Sequence, residues 1–171
     1  MNNVVYILLV LMLVACGPTA RLVQLESQFE TAEAERLLEV GSNAITGSAV
    51  IRQRGGGTVN CAGNNVFLIP ATAYALERIQ SIYGSTEHGY SPFTGFGPTY
   101  EFDPDPPAYH QNIRTEQCDA QGMFEFSSVA DGRFFVITTI VWETGNQTHG
   151  GNLMRSVALS GGQHKRIVLS P

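Results

Sequence analysis

The sequence predicts a mainly β protein: a single β-sandwich of about seven strands, preceded by a signal peptide and a short N-terminal helix. Two observations predict this class. From residue 45 onward, short segments rich in β-branched and aromatic residues alternate with clusters of Gly, Asn and Asp, which favour turns. The 171 residues also include 18 Gly and 8 Pro, and hydrophobic residues make up 43%, enough to fill the core of one turn-rich domain.

The charge of the chain excludes one class of partner. Charged residues make up 15% of the sequence, and the formal net charge is −5 at pH 7. A protein face that binds nucleic acid needs clustered Lys and Arg side chains to neutralise the phosphates. We therefore expect no nucleic-acid partner.

The chain begins with an apolar segment that is too short to span a membrane. Residues 4–15 read VVYILLVLMLVA, and Cys16 follows them. A helix of this length extends about 18 Å, whereas the hydrocarbon core of a bilayer is about 30 Å thick. Such a segment is typical of the apolar region of a signal peptide, which we predict over residues 1–15.

The four residues Leu13-Val14-Ala15-Cys16 resemble the lipobox of bacterial lipoproteins. In that family the cysteine is lipidated and becomes the first residue of the mature protein, so the resemblance implies a membrane anchor at Cys16. Gly17 stands where an aspartate would retain such a protein in the inner membrane. The implied location is therefore the outer membrane, facing the periplasm. An ordinary cleaved signal peptide is the alternative.

Cys61 and Cys118 are the two cysteines left once Cys16 is assigned to the lipid. The periplasm is oxidising, and an even number of cysteines there favours pairing. We predict a Cys61–Cys118 disulfide, provided that the strands ending at these residues are neighbours and bring the Cα atoms within about 6 Å. Two free buried thiols are the alternative.

Residues 16–44 are predicted to form a lipidated tether followed by an acidic helix over residues 25–40. Apolar residues recur there at roughly helical spacing, and the positions between them are rich in Glu. Gly41 then provides a stop signal. We expect the helix to lie on the domain as a spacer, through an apolar stripe formed by Leu25, Phe29, Ala32, Leu37 and Val40.

Residues 45–171 are predicted to form the sandwich. One segment within residues 71–83 has the apolar spacing of a short helix, and the other apolar segments have the composition of strands. In the segment MFEFSSV, strict alternation would place Phe124, Phe126 and Ser128 on one face. The predicted strands cover residues 47–53, 65–70, 112–118, 123–129, 134–142, 153–160 and 164–169.

Residues 115–142, TEQCDAQGMFEFSSVADGRFFVITTIVW, resemble the carboxypeptidase regulatory-like domain. In that family a strand ends in a D-x-x-G turn, a G-x-F-x-F strand follows, and a second turn leads into a long apolar strand. The resemblance implies a transthyretin-like Greek-key sandwich over about residues 46–170, and it implies no particular ligand. The motif positions are matched here by Asp119, Gly122, Phe124, Phe126, Asp131 and Gly132.

Residues 84–111 form a long insertion between predicted strands, rich in Gly, Pro and aromatic residues. Aromatic rings on an irregular segment are typical of partner surfaces, so we hypothesise contact with an envelope protein or a glycan. The alternative is that the segment folds back and its rings cap the sandwich. The candidate surface residues are Tyr90, Phe93, Phe96, Tyr100, Phe102 and Tyr109.

Side chains that serve catalysis or bind metals show no recognisable spacing. No G-x-S-x-G motif occurs, and the histidines lack the paired spacing of a zinc site. Arg52 and Arg54 precede or enter a glycine-rich turn, which is a weak signal for an anion site. We predict no metal, no cofactor and a non-catalytic binding or assembly accessory; the alternative is an envelope enzyme with an unrecognised site in residues 84–111. The histidines are His88, His110, His149 and His164.

Overall fold

The computed structural model describes residues 20–93 and 99–171. The predicted signal peptide, the lipidation candidate Cys16 and the aromatic candidate Phe96 lie outside the described residues. Within the described part of the chain, no helix has both the length and the hydropathy that crossing a membrane requires.

The described residues form eleven strands and three helices. In chain order these elements are β1 (Ala20–Gln24), α1 (Thr31–Leu38), β2 (Asn43–Arg52), β3 (Thr58–Asn60), β4 (Asn65–Pro70), α2 (Ala73–Tyr83), β5 (His88–Pro92), β6 (Thr99–Asp103), α3 (Pro107–Gln111), β7 (Arg114–Gln117), β8 (Met123–Val129), β9 (Gly132–Thr144), β10 (Gln147–Leu159) and β11 (His164–Leu169).

Two sheets lie face to face and form the β-sandwich that the sequence predicts. The larger sheet has the strand order β5-β10-β9-β4-β7, and each neighbouring pair is antiparallel. In the smaller sheet, β2 pairs in parallel with β11 and antiparallel with β8 and β3. β1 and β6 form a separate parallel pair, which the sequence did not predict.

An inner core lies between the two sheets, and it follows from the alternation of side chains along each strand. In β9, the side chains of Phe134, Val136 and Ile140 point inward and are fully buried. They form one cluster with Ile45 of β2 and Phe126 of β8. This burial removes large apolar side chains of both sheets from water and thereby stabilises the sandwich.

An outer core covers the opposite face of the larger sheet. Phe135, which alternates with the inward residues of β9, is buried there together with Ile69 of β4. Tyr74 and Ile79 of α2 belong to the same cluster, so α2 forms a third layer. Thr72 caps the start of the helix, because its side chain accepts a hydrogen bond from a backbone amide of the first turn.

The predicted strands agree best with the structure where alternation is clear. Three of them have the observed bounds of β4, β8 and β11. β9 and β10 are longer than predicted because the two-residue turn Gly145-Asn146 joins them into one hairpin. β10 therefore begins at Gln147 rather than at residue 153.

The predicted acidic helix is shorter than expected, since α1 covers only Thr31–Leu38. Leu25 and Phe29 pack against the outer core from a non-helical segment that precedes the helix. Glu77 of α2 accepts hydrogen bonds from two backbone amides of that segment and ties it to α2. Val40, which was assigned to the apolar stripe, is 89% exposed.

The described part of residues 84–111 forms two strands and a helix rather than an irregular loop. β5 adds to the edge of the larger sheet, where it pairs with β10. β6 pairs with β1, and α3 then brings Tyr109 back into the outer core. Both strands have only five residues, which is too short for their alternation to be recognised from sequence.

The predicted disulfide between Cys61 and Cys118 is confirmed, with Cα atoms 5.8 Å apart. The prediction required the strands that precede the two cysteines to be neighbours. They are not, because β3 belongs to the smaller sheet and β7 to the larger one. Each cysteine instead lies in a connection that crosses between the sheets. The bond therefore links the two crossing connections.

Candidate functional site

The inward face of β9 ends at Trp142, which packs against the inner core but stays partly exposed. Trp142 stands directly opposite His149 of β10 in the antiparallel register. The two rings stack with centroids 5.7 Å apart and planes inclined by 21°. Opposed residues on neighbouring strands point to the same side of a sheet, so the pair forms one aromatic surface.

A cleft of about 740 Å³ opens over this pair at one end of the sandwich, and we call it the end cleft. The end cleft is enclosed by three elements: the turn between β2 and β3, the β9–β10 hairpin and the end of β5. Its lining residues are Ile51, Arg52, Gln53, Arg54, Gly55, Tyr90, Pro92, Phe93, Trp142, Thr144, His149, Gly150 and Pro171.

Tyr90 of β5 forms a fixed wall of the end cleft. Its hydroxyl donates a hydrogen bond of 2.8 Å to the carbonyl oxygen of Gly150. Burial raises the pKa of Tyr90 further above neutral pH, where the protonated hydroxyl is the hydrogen-bond donor. Gly150 has a φ of +111°, and a Cβ atom there would collide with the carbonyl oxygen of Ile140. Glycine therefore permits the close approach of the strands behind this wall.

Arg52 and Arg54 supply the charged side of the end cleft. Arg52 is the last residue of β2, and Arg54 lies in the turn that follows. A backbone hydrogen bond of 2.7 Å from the Gln53 amide to the Gly57 carbonyl closes that turn. Both arginines are exposed, and neither forms an ion pair with a carboxylate of the described residues. The cleft thus combines aromatic faces with exposed hydrogen-bond donors.

The five described aromatic residues of the predicted partner surface do not form one surface. Tyr90 and Phe93 line the end cleft, and Phe93 is 44% exposed. Tyr100 and Phe102 stack on each other in β6, with ring centroids 6.2 Å apart. The prediction is corrected at Tyr109, which is only 6% exposed because its ring packs in the outer core.

Arg78 of α2 binds the part of residues 84–111 that folds back. Its guanidinium carbon lies 3.9 Å from the ring centroid of Phe102 and 4.6 Å from that of Tyr109. The guanidinium also donates hydrogen bonds to the Tyr74 hydroxyl and to the carboxylate of Asp105. A desolvated cation over an aromatic face is stabilised by about 2 kcal/mol. These contacts agree with the alternative in which the rings cap the domain.

The carboxylate of Asp105 contacts two basic side chains, Arg78 and His110. Besides Arg78, the Nε2 atom of His110 lies 2.9 Å from its carboxylate. Burial alone would raise the pKa of Asp105, but the hydrogen bonds with His110 and Arg78 and the charge of Arg78 outweigh burial and lower it. The carboxylate is therefore ionised at neutral pH and holds α3 against α2.

The histidines lie on four separate elements. In residues 20–93 and 99–171, no three His, Cys, Asp or Glu side chains are grouped in a way that could hold a metal ion. Their positions are His88 in β5, His110 in α3, His149 in β10 and His164 in β11.

Sequence reasoning missed Trp142 and His149 as a pair. The signal that identifies them is the Gly145-Asn146 dipeptide, which favours a two-residue hairpin turn. Counting outward from such a turn places Thr144 opposite Gln147 and Trp142 opposite His149, as the structure has them.

Comparisons with known proteins establish the fold. No family model and no curated protein matches the chain. A solved structure that resembles it is the crystal structure of a putative carbohydrate binding protein from Pseudomonas aeruginosa. The TM-score is 0.70 at 21% sequence identity, over 85% of this chain and 99% of that one. At this identity the similarity shows that the two proteins share the sandwich.

Proposed function

We propose that the protein is a non-catalytic saccharide-binding module whose ligand site is the end cleft. The observation that carries this proposal is the Trp142–His149 stack, a partly exposed aromatic pair held by strand pairing at the open end of the sandwich. The fold neighbour, whose name refers to carbohydrate binding, supports the same proposal.

The chemistry of the end cleft suits a sugar ring. A pyranose presents C–H groups on its faces and hydroxyl groups around its rim. The negative face of an aromatic ring attracts such C–H groups, and the flat contact buries apolar area. Trp142 supplies that face, while Gln53 and Thr144 lie along the same cleft and offer donors to the hydroxyl groups.

The size and rigidity of the end cleft also favour a small oligosaccharide. Ligand pockets typically enclose about 300–1,000 Å³, a range that includes this cleft. Its aromatic pair lies on paired strands, and Tyr90 is fixed by its hydrogen bond to Gly150. Side chains that are already positioned lose little conformational entropy when a ligand binds.

The single Trp of the chain provides a direct test. Purified protein is titrated with a panel of neutral and acidic oligosaccharides while the fluorescence of Trp142 is followed. We expect at least one saccharide to shift the emission saturably, because a sugar ring over Trp142 displaces water from it. A panel without any saturable response would contradict the proposal.

Calorimetric titration of variants locates the site. Trp142→Ala is expected to weaken binding about tenfold or more, since a central aromatic anchor contributes more than about 1.4 kcal/mol. Tyr100→Ala, which removes an aromatic ring outside the end cleft, is the matched control and is expected to bind normally. The bound saccharide should be recovered unchanged after long incubation; its cleavage would support the enzyme alternative.

We also propose that Cys16 anchors the protein to the outer membrane, facing the periplasm. The apolar segment and the lipobox-like residues before Cys16 support this anchor. In a detergent phase-separation experiment, the wild-type protein is expected in the detergent phase. Cys16→Ala is expected as unprocessed precursor with altered partitioning, and partitioning identical to that of the wild type would contradict the anchor.

A further inference from the structure

We propose that the end cleft selects acidic saccharides, with a carboxylate of the ligand bound by Arg52 and Arg54. This inference rests on the proposed saccharide site and names the class of its ligand. It assigns a specificity role to the two arginines, which the binding of a neutral sugar does not require.

The charge of the end cleft is opposite to that of the protein. The whole chain has 15 Asp and Glu residues against 10 Lys and Arg residues. Among the described residues, the lining of the cleft nevertheless contains Arg52 and Arg54 and has no Asp or Glu side chain. Glu143, the neighbour of Trp142 on β9, points to the other face of that strand. An anionic ligand is therefore attracted to this end of a molecule whose net charge is negative.

Within residues 20–93 and 99–171, the two arginines have no carboxylate partner that would compete with a ligand. Arg78 binds Asp105, and Arg133 forms an ion pair of 2.7 Å with Glu87. By contrast, no described Asp or Glu carboxylate pairs with Arg52 or Arg54. A bound carboxylate would thus gain charge-assisted hydrogen bonds without breaking existing ion pairs.

Local backbone structure places both arginine residues along the end cleft that holds the aromatic pair. Arg52 pairs with Thr58 in the ladder between β2 and β3. Arg54 follows two residues later in a turn closed by the Gln53–Gly57 hydrogen bond. The planar guanidinium matches the two oxygens of a carboxylate. A uronate residue stacked on Trp142 carries such a carboxylate on the edge of its ring.

The test uses matched ligands that differ only in charge. Tetragalacturonate and a hyaluronan tetrasaccharide are each compared with their methyl esters, which keep the sugar skeleton and remove the negative charge. We expect at least one acidic form to bind about tenfold more tightly than its ester at low salt. This preference should shrink as the ionic strength rises, because salt screens exposed charges.

Variants assign the preference to the two arginines. Arg52→Gln and Arg54→Gln are each expected to weaken binding of the acidic form about threefold, and about tenfold together, with no effect on the ester. Arg166→Gln removes the same charge from an exposed residue of β11 outside the end cleft and should change nothing.

The possible outcomes separate the two proposals. Equal binding of acid and ester, with no effect of the arginine substitutions, would overturn the acidic preference and leave the saccharide site intact. Binding of neutral saccharides alone would do the same. If no saccharide of either kind changes the fluorescence of Trp142, both proposals fail.

Discussion

Trp142 and His149 face each other across two paired strands, with their ring planes inclined by only 21°. His149 therefore fixes the orientation of Trp142 before any ligand arrives. Because Trp142 is the single Trp of the chain, its fluorescence reports on this one contact. The pair is the proposed binding surface, and the fluorescence of Trp142 detects binding to it.

His149→Ala is predicted to weaken saccharide binding more than it weakens the fold. Loss of one cross-strand aromatic contact costs about 0.5–1 kcal/mol of stability, whereas a mobile Trp142 must be ordered again on binding. We expect affinity to fall about fivefold in calorimetric titration and the fluorescence anisotropy of Trp142 to decrease. His149→Phe restores a stacking ring and should restore both values. Unchanged affinity in His149→Ala would contradict a role for the pair.

Gly150→Ala is predicted to destabilise the protein by about 3 kcal/mol. A side chain at this position meets the Ile140 carbonyl oxygen and a backbone with φ of +111°. The melting temperature should fall by roughly 6–12 °C. Gly55→Ala is the control, since a Cβ atom there meets nothing within 4 Å. A wild-type melting temperature for Gly150→Ala would show that the strands adjust without strain.

Removal of the Cys61–Cys118 bond is predicted to cost about 2–4 kcal/mol, since the bond closes a loop with a sequence separation of 57 residues. The double substitution of both cysteines by Ala should therefore lower the melting temperature by roughly 10 °C. Alkylation of the denatured, non-reduced domain should detect neither cysteine as a free thiol. Two reactive thiols would show that the bond does not form in solution.

Tyr109 is predicted to make the protein less stable at alkaline pH. Burial raises its pKa to about 12, with the charge of Arg78 acting in the opposite direction. In the unfolded chain the pKa of a Tyr is about 10. The folded state therefore keeps a proton that the unfolded state releases, and stability present below pH 10 declines as the pH rises towards 12.

The measurement for this prediction is the melting temperature between pH 8 and about 12. Tyr109→Phe keeps the buried ring and removes the titrating group, so its curve should be flatter than that of the wild type. Burial also raises the pKa of Tyr83, which accounts for the alkaline loss that persists in the variant. An identical slope in both proteins would contradict the prediction.

The core of the sandwich was predictable because its strands alternate clearly. Phe124 and Phe126 of β8 are buried as expected. The prediction is wrong at Ser128, which has a φ of 54° and is exposed, while Val129 takes the buried position. A register shift in the pairing of β2 with β8 accompanies it, and this irregularity has no local sequence signal.

The candidate site was only partly predictable. The cysteine count identified the Cys61–Cys118 pair, because oxidation and pairing depend on composition and compartment. The end cleft depends on tertiary structure: it forms where the β2–β3 turn, β5 and the β9–β10 hairpin meet. Tyr90 and Phe93 were noted as aromatic, but their separation from Tyr109 follows from tertiary packing, since Tyr109 lies in the outer core and the other two line the end cleft.

The Cys61–Cys118 bond also makes the intervening chain a covalent ring. The Tyr90 wall and both members of the Arg78–Asp105 pair lie inside this ring. A protease that cuts the ring once therefore produces two fragments that stay attached, migrating together on a gel until a reductant separates them. A single cut among residues 62–117 leaves the nicked protein joined, and its complete dissociation requires reduction as well as proteolysis.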